Sequence, residues 1–473
     1  MERCISRIKY KHLAMWLWTV ALFLAQPVQA GEVAVAVTAP DSEAPSQLLL
    51  IDTDAPETPL AALPIDGLLA GETIRAIDLR PANGQVWALT SINRMLILDL
   101  ETGELDQPGT QIDPSLFSSS QPSGFEFNPA VDRIRLTNAI DDNMRFNPIT
   151  FLVVDSDGNP GNGITPDTNL AYDAGDPNAG ANPQVAAMAH DRNDNDGATG
   201  TTLFGIDSVL DILVNQGGEG GAPSPNLGQL FTLGNLGVDV TDLVSFDITR
   251  GPDPIANNGS GVAYLVAQVE GETESSLFLV TLHAVEVGEV VGNATMIGEF
   301  PGNLITGFTV LSGGAVMTAA PSTQVDEADA QVTITVERLG ETLEPASVAF
   351  QTVDRTAVAG KDYTPTSGVL NFGVGETSLE LVVPLLADEE GEGTEAFALE
   401  LGPVSGGAVV LTRAHTVEIL DDDALDGGPS SAGGCSVASS AGSNRNAGVW
   451  AALTLSMVLL AARRHRLSQD ILE

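Results

Sequence analysis

Apolar and polar residues alternate in short runs through most of this chain, the two-residue period of half-buried strands rather than the 3.6-residue period of helices. Residues 76–81, 124–129, 185–190, 244–249 and 306–311 each carry the alternation, and their starts lie 48, 61, 59 and 62 residues apart. A turn and a second run follow most of them, at 85–90, 132–137, 202–207 and 262–267. Third strands are expected at 95–100 and 276–282. Units of about 40–60 residues with four strands each are the pattern of propeller blades. The run at 47–52 has no first and second strands before it, whereas the last repeat, from 306 to about 319, lacks a third and fourth. Joining the two halves would close a ring and cover two open edges. Four complete blades and one shared blade make five, unless the Gly-rich insertions near 155–182 and 216–225 hide another.

Between residues 322 and 423 the spacing changes. Strands are expected at 332–336, 347–352, 368–372, 378–383, 396–401 and 415–420, and about 100 residues with seven or so strands fit a β-sandwich. The chain therefore reads as all-β. Its 49 Gly and 27 Pro, with few runs of good helix formers, argue against a helical bundle.

The two ends predict export. Residues 1–30 combine a basic start, an apolar run over 13–25 and Val28-Gln29-Ala30 before Gly31, as a cleaved secretory signal does. Residues 31–44 read as a linker, 45–318 as the propeller-like domain and 322–424 as the sandwich. A Gly/Ser-rich linker follows over 425–446, then an apolar transmembrane segment over 447–462 and a basic cytoplasmic tail over 463–473. A 16-residue helix spans about 24 Å at 1.5 Å per residue. Arg463, Arg464 and Arg466 would remain cytoplasmic and hold the rest outside. Cys4 would leave with the signal, so Cys435 would be the single exported thiol and no intrachain disulfide could form. Gly433-Gly434-Cys435-Ser436 ahead of the apolar segment resembles the C-terminal sorting signals of bacterial surface proteins, in the class cut by rhomboid-like or myxosortase-type proteases. That resemblance implies a sorting protease as partner and processing or lipidation at Cys435. A plain single-pass anchor is the alternative.

Charge narrows the partners. The chain has 20 Lys+Arg against 63 Asp+Glu, and eight of the basic residues sit at the two ends. Residues 31–434 hold 12 cationic and 60 acidic side chains, a balance of −48, with Lys361 as their only lysine. Such a surface repels phosphate backbones and anionic lipid, which excludes nucleic-acid binding by electrostatics. Hydrated cations are its natural partners.

The motifs Ile77-Asp-Leu-Arg-Pro, Gly84-Gln-Val-Trp-Ala-Leu, Gly124-Phe-Glu-Phe-Asn-Pro-Ala-Val-Asp-Arg-Ile-Arg, Arg145-Phe-Asn-Pro, Asp167-Thr-Asn-Leu-Ala-Tyr, Thr202-Leu-Phe-Gly-Ile-Asp and Leu236-Gly-Val-Asp resemble the bacterial domain of unknown function 4394 family. The resemblance spans roughly residues 45–312 and implies a secreted, propeller-like domain, with no activity attached. His190 and His283 are the only histidines in that region, which leaves little for zinc or copper, and no Gly-x-Ser-x-Gly elbow is present. No catalytic residue is assigned. Two loops, 155–159 and 191–197, place oxygen side chains at alternate positions but lack the hand motif, so Asx turns compete with calcium turns. Asn128, Asp132 and Arg133 read as a turn with capping side chains or as a ligand-contacting cluster.

Thr352-Val-Asp354-Arg-Thr-Ala357, Ala359-Gly-Lys-Asp362-Tyr363, Gly375-Glu-Thr377 and Ile419-Leu-Asp-Asp-Asp423 are similar to a Calx-beta domain over the whole second segment. Three successive aspartates repel unless a cation joins them. The resemblance brings the acidic loops to one end of the sandwich and carries calcium ligation to Glu327, Asp354, Asp388, Glu392, Glu395, Asp421, Asp422 and Asp423. Ala387 stands where the family's multi-ion sites often hold another Asp, which implies fewer or weaker ions. A merely solvated acidic loop end is the alternative.

Together these readings describe an exported, membrane-anchored bacterial surface protein: a propeller for ligand binding or adhesion, with a glycan or protein ligand, then a sandwich stiffened by Ca²⁺. Processing at Cys435 would leave it retained, released or lipid-anchored. A tethered propeller enzyme acting on polysaccharide or a lactone is the rival, and a structural envelope or matrix protein is the third reading.

Overall fold

The computed structural model describes residues 31–40, 44–107, 111–118, 123–159, 161, 163–193, 197–250, 261–283, 289–311, 313–340, 342–388, 391–405 and 408–421. The expected signal peptide, Asp422, Asp423, Cys435, transmembrane segment and basic tail lie outside the described residues. Among those described, no helix is long and apolar enough to cross a membrane. The described residues are all-β apart from two three-residue 3-10 turns.

Five sheets occupy the part before Leu311. Their first strands are Ile74–Arg80, Ser123–Asn128, Val185–His190, Val240–Ile248 and Ile305–Val310. Each is followed outward by antiparallel neighbours, for example Gln85–Thr90, Met95–Leu98 and Leu105–Asp106 in the first sheet. The first strands pack side by side in cyclic order, the fifth against the first. Close approach dictates small residues there: a Cβ on Gly307 would lie 3.0 Å from Ile77 Cγ1. Apolar layers fill the space between sheets. Trp87 meets Phe127 edge-on at 5.8 Å and stacks on Phe151 at 6.2 Å, with Phe117, Phe125 and Phe146 buried beside them.

Two expectations need correction. Residues 31–44 are not a plain linker: Val33–Thr38 is a fully buried strand. It inserts between Ile305–Val310 and Gln47–Asp52, with Val35 opposite Thr309 on one side and Leu50 on the other. Without it both neighbours would present open edges. The chain start therefore supplies three strands of the closing sheet, and the later segment supplies only Ile305–Val310. The second part of the expected last repeat, Ala315–Thr318, crosses instead into the sandwich, where it pairs with Gln331–Leu339 and Val409–Val410.

The sandwich has one sheet ordered Ser378–Pro384, Gln331–Leu339, Ala315–Thr318, Val409–Val410. The other is ordered Ser322–Asp326, Ala414–Leu420, Glu395–Val404, Ala346–Asp354, Ser367–Phe372. Alternation along Gln331–Leu339 buries Val332 and Ile334 against Leu399, Val417 and Ile419, and Val336 against Val348 and Leu401. The sandwich docks directly on the closing sheet of the ring. Leu311 and Ala315 continue the core of Val33, Val35 and Leu50, with Leu339, Val409 and Leu411 packed on it. Arg250 pairs with Glu344 at 3.1 Å, Arg413 pairs with Glu101, and buried Arg338 donates to Glu344 O at 2.7 Å. Nine residues of strand at about 3.3 Å each place the Gln331 end roughly 30 Å from this junction.

Candidate functional site

The acidic side chains predicted to bind a cation meet at the end of the sandwich away from the ring. Parallel pairing of Ser322–Asp326 with Ala414–Leu420 sets Asp326 opposite Leu420, and Glu327 N donates to Leu420 O at 2.9 Å. Glu327 and Asp421 therefore leave the sheet side by side. Two loops close on them. Asp388 N donates to Glu327 Oε1 at 3.0 Å, while Glu392 N and Gly393 N donate to Asp421 Oδ2 at 2.8 and 2.9 Å.

Asp362, Glu392 and Glu395 each offer a carboxylate oxygen within 4.8 Å of the others. Asp362 Oδ2 is fixed by Val358 N at 2.6 Å. Partial burial pushes the Glu395 carboxyl up to about 6, reinforced by Asp362 and then Glu392, and opposed by Lys361. Hard oxygen donors in this density suit Ca²⁺ better than softer metals. Asp354 is held apart from that trio: its Oδ1 accepts Tyr363 Oη at 2.6 Å and Ala359 N at 2.9 Å, which lowers its pKa. The Tyr363 ring is itself fixed by stacking on Phe397 at 4.1 Å.

Of the predicted ligands, then, Glu392 and Glu395 share one cluster, Glu327, Asp388 and Asp421 are tied to it through backbone hydrogen bonds, and Asp354 flanks it. Asp362 was not among them. Its signal was present in the motif Ala359-Gly-Lys-Asp362-Tyr363.

A second carboxylate cluster, not foreseen, lies on the ring axis. The first strands present Asp78, Glu126 and Asp247 with oxygens within 4.8 Å of one another, all fully buried. Each reaches across to the next sheet. Phe127 N donates to Asp78 Oδ2 at 2.6 Å, His190 N to Glu126 Oε1 at 2.9 Å, and Val310 N to Asp247 Oδ2 at 2.7 Å. Leu79 N completes the circuit by donating to Thr309 Oγ1 at 3.1 Å. In the third strand Ala189 precedes His190, where the other strands place their polar side chains, and it offers no acceptor. Burial raises all three carboxyls, Asp247 to about 6, and mutual repulsion adds to the rise for Asp78 and Glu126. In the flagged loop 155–159 Asn159 N donates to Asp157 Oδ1 at 2.8 Å, an Asx turn, and at the start of the other loop buried Asp191 accepts from Thr202 N at 2.6 Å. Asn128 Oδ1 likewise caps Ala130 N and Val131 N, at 3.0 and 3.2 Å.

Residues 47–309 match the model for a domain of unknown function, DUF4394. The chain belongs to the DUF4394 family. In this DUF4394 protein a Calx-beta domain follows, matched over residues 313–423. About 100 residues are 37% identical to the mouse extracellular matrix organizing protein FRAS1, covering 21% of this chain and 2% of that one. The Drosophila melanogaster sodium/calcium exchanger Calx is 34% identical over 91 residues, 19% of this chain and 10% of the exchanger. The chain thus spans only a small fraction of these curated relatives. A crystal structure of the apo-form Calx CBD1 domain is 30% identical over 23% of this chain and 97% of that domain, with a TM-score of 0.23.

Proposed function

We propose that this DUF4394 protein is an exported, membrane-anchored surface protein. Its sandwich binds calcium at the distal acidic end, and its five sheets form a five-bladed propeller that carries a ligand-binding face. The observation that carries the calcium reading is the convergence of Asp362, Glu392 and Glu395 within 4.8 Å, beside Glu327 and Asp421. Calcium there would be held by Asp362, Glu392 and Glu395, with Asp421 adjoining. It would supply the charge that lets three carboxylates share one loop end. Similarity to the exchanger's domain supports the same ion. Extracellular modules of this kind bind in the range of about 10⁻⁴–10⁻³ M, so calcium acts as a permanent stiffener outside the cell rather than as a signal.

Direct docking of the sandwich on the ring gives that stiffness a use. It holds the propeller at a fixed orientation on the anchored part of the chain. Near the ring axis His190 is kept neutral by burial, and its pKa falls to about 3.

Thermal melting of the full chain with calcium and with chelator tests the reading. At 100 times the dissociation constant, calcium adds about 2.7 kcal/mol to the unit it binds. A melting curve unchanged by chelation would remove the calcium assignment.

A further inference from the structure

A cleft of about 310 Å³ opens between the turns of the second and third sheets. Its charge is the reverse of the molecule's. Residues 31–434 contain 60 acidic and 12 cationic side chains. Three of those twelve, Arg133, Arg135 and Arg145, line this cleft, and no Asp or Glu is among its described lining residues.

Two of the arginines share one carboxylate. Arg135 Nη1 reaches Asp167 Oδ2 at 2.7 Å, and Arg145 holds Asp167 through Nε and Nη2, both at 2.8 Å. Asp167 is buried, so its charge is already committed to the pair. Arg133 donates only to main-chain carbonyls, Asp132 O at 2.7 Å and Val131 O at 3.3 Å. The neighbouring carboxylate of Asp132 is taken by Arg80 at 2.6 and 2.8 Å. Among the described residues the cleft therefore keeps a positive excess. Its volume lies at the lower end of the roughly 300–1,000 Å³ that small-molecule sites occupy, room for a sugar-sized ligand rather than a polymer.

We infer that this cleft binds a small oxyanion-bearing ligand, engaged by the guanidinium of Arg133 and by the positive excess that Arg135 and Arg145 hold around Asp167. Guanidinium groups match carboxylate, sulfate and phosphate oxygens in fork geometry. The acidic surface makes the site selective, because an anion meets attraction here and repulsion over most of the surface. The inference deepens the ligand-binding reading of the propeller and is independent of calcium.

The test is isothermal titration of the full chain at low ionic strength, with calcium held constant, using glucuronate, inorganic sulfate and neutral glucose. Glucuronate or sulfate should bind, glucose should not, and added salt should weaken the binding. Arg133→Gln should cut the affinity about tenfold or more with the circular dichroism spectrum unchanged, the worth of one charge-assisted hydrogen bond. Arg145→Gln, which leaves Asp167 paired with Arg135, should weaken binding as well. Tighter binding of glucuronate than sulfate assigns a sugar acid; equal binding assigns an inorganic oxyanion. No anion response, glucose binding as well as glucuronate, or unchanged affinity in Arg133→Gln would overturn the inference. Calcium-induced stabilisation without an anion response would leave the sandwich reading standing.

Discussion

Glu126 Oε2 is buried beside the carboxylates of Asp78 and Asp247 and, among the described residues, receives no hydrogen bond from any N–H or O–H donor. At neutral pH such an oxygen is tolerable only if a proton or a cation sits between the acids. The raised values of all three carboxyls fit a retained proton. A folded-state pKa above the unfolded value, near 4, means that the fold binds the proton more tightly. This contribution to stability is fully present below about pH 4 and is lost as pH rises through Asp247's value of about 6. Glu126→Gln keeps an oxygen for His190 N and puts an amide donor where the proton was. The variant should be more stable than the wild type at pH 8, by about 1 kcal/mol, and its stability should decline less between pH 5 and 8. Urea melts at the two pH values check this, and parallel declines would contradict it. At the other site, Tyr363→Phe keeps the stack on Phe397 and removes the donor to Asp354. The Asp354 carboxyl should then titrate higher, as carboxylate NMR shifts would report; an unmoved titration would remove Tyr363 from its control.

At the scale of elements, the first strands of the five sheets were legible because apolar residues recur at alternate positions along them and four of the five run into a turn marked by Pro, Asn or Asp. Residues 185–190 and 85–90 coincide with observed strands, and the sandwich strands differ from expectation only by a residue or a few at their ends. Val33–Thr38 was missed for a physical reason. Its small apolar residues, buried on both faces, lack the polar half of the alternation and sit just after an apolar export signal. Asp78, Glu126 and Asp247 were illegible for another: their meeting depends on ring closure between residues 48 and 121 positions apart, which no local spacing encodes. Asp362, by contrast, is legible in the local motif Ala359-Gly-Lys-Asp362-Tyr363. The inserted strand carries a sharp test. Val35→Asp places a charge at a fully buried position with no partner, a change costing several kcal/mol, and should abolish soluble folded protein. Val374→Asp, at a position 67% exposed, should melt like the wild type. Soluble yield and circular dichroism separate the two; a well-folded Val35→Asp would mean that the strand is dispensable to closure.

Over the whole molecule, 63 acidic against 20 basic residues impose self-repulsion on the folded state. Sodium chloride should therefore raise the melting temperature as the Debye length falls from about 30 Å at 0.01 M to about 10 Å at 0.1 M. A melting temperature indifferent to salt would show that the acids are already compensated. Part of the acidic excess has a structural address, at the distal end of a sandwich that docks on the ring through Val33, Leu339 and Val409. The central claim is that this end binds calcium through Asp362, Glu392 and Glu395. Equilibrium calcium titration of the full chain, wild type against Glu395→Gln, tests it most directly. Saturable binding, unaffected by equimolar magnesium and weakened about tenfold or more in the variant, is the predicted result. No saturable binding, or identical binding in Glu395→Gln, would contradict it.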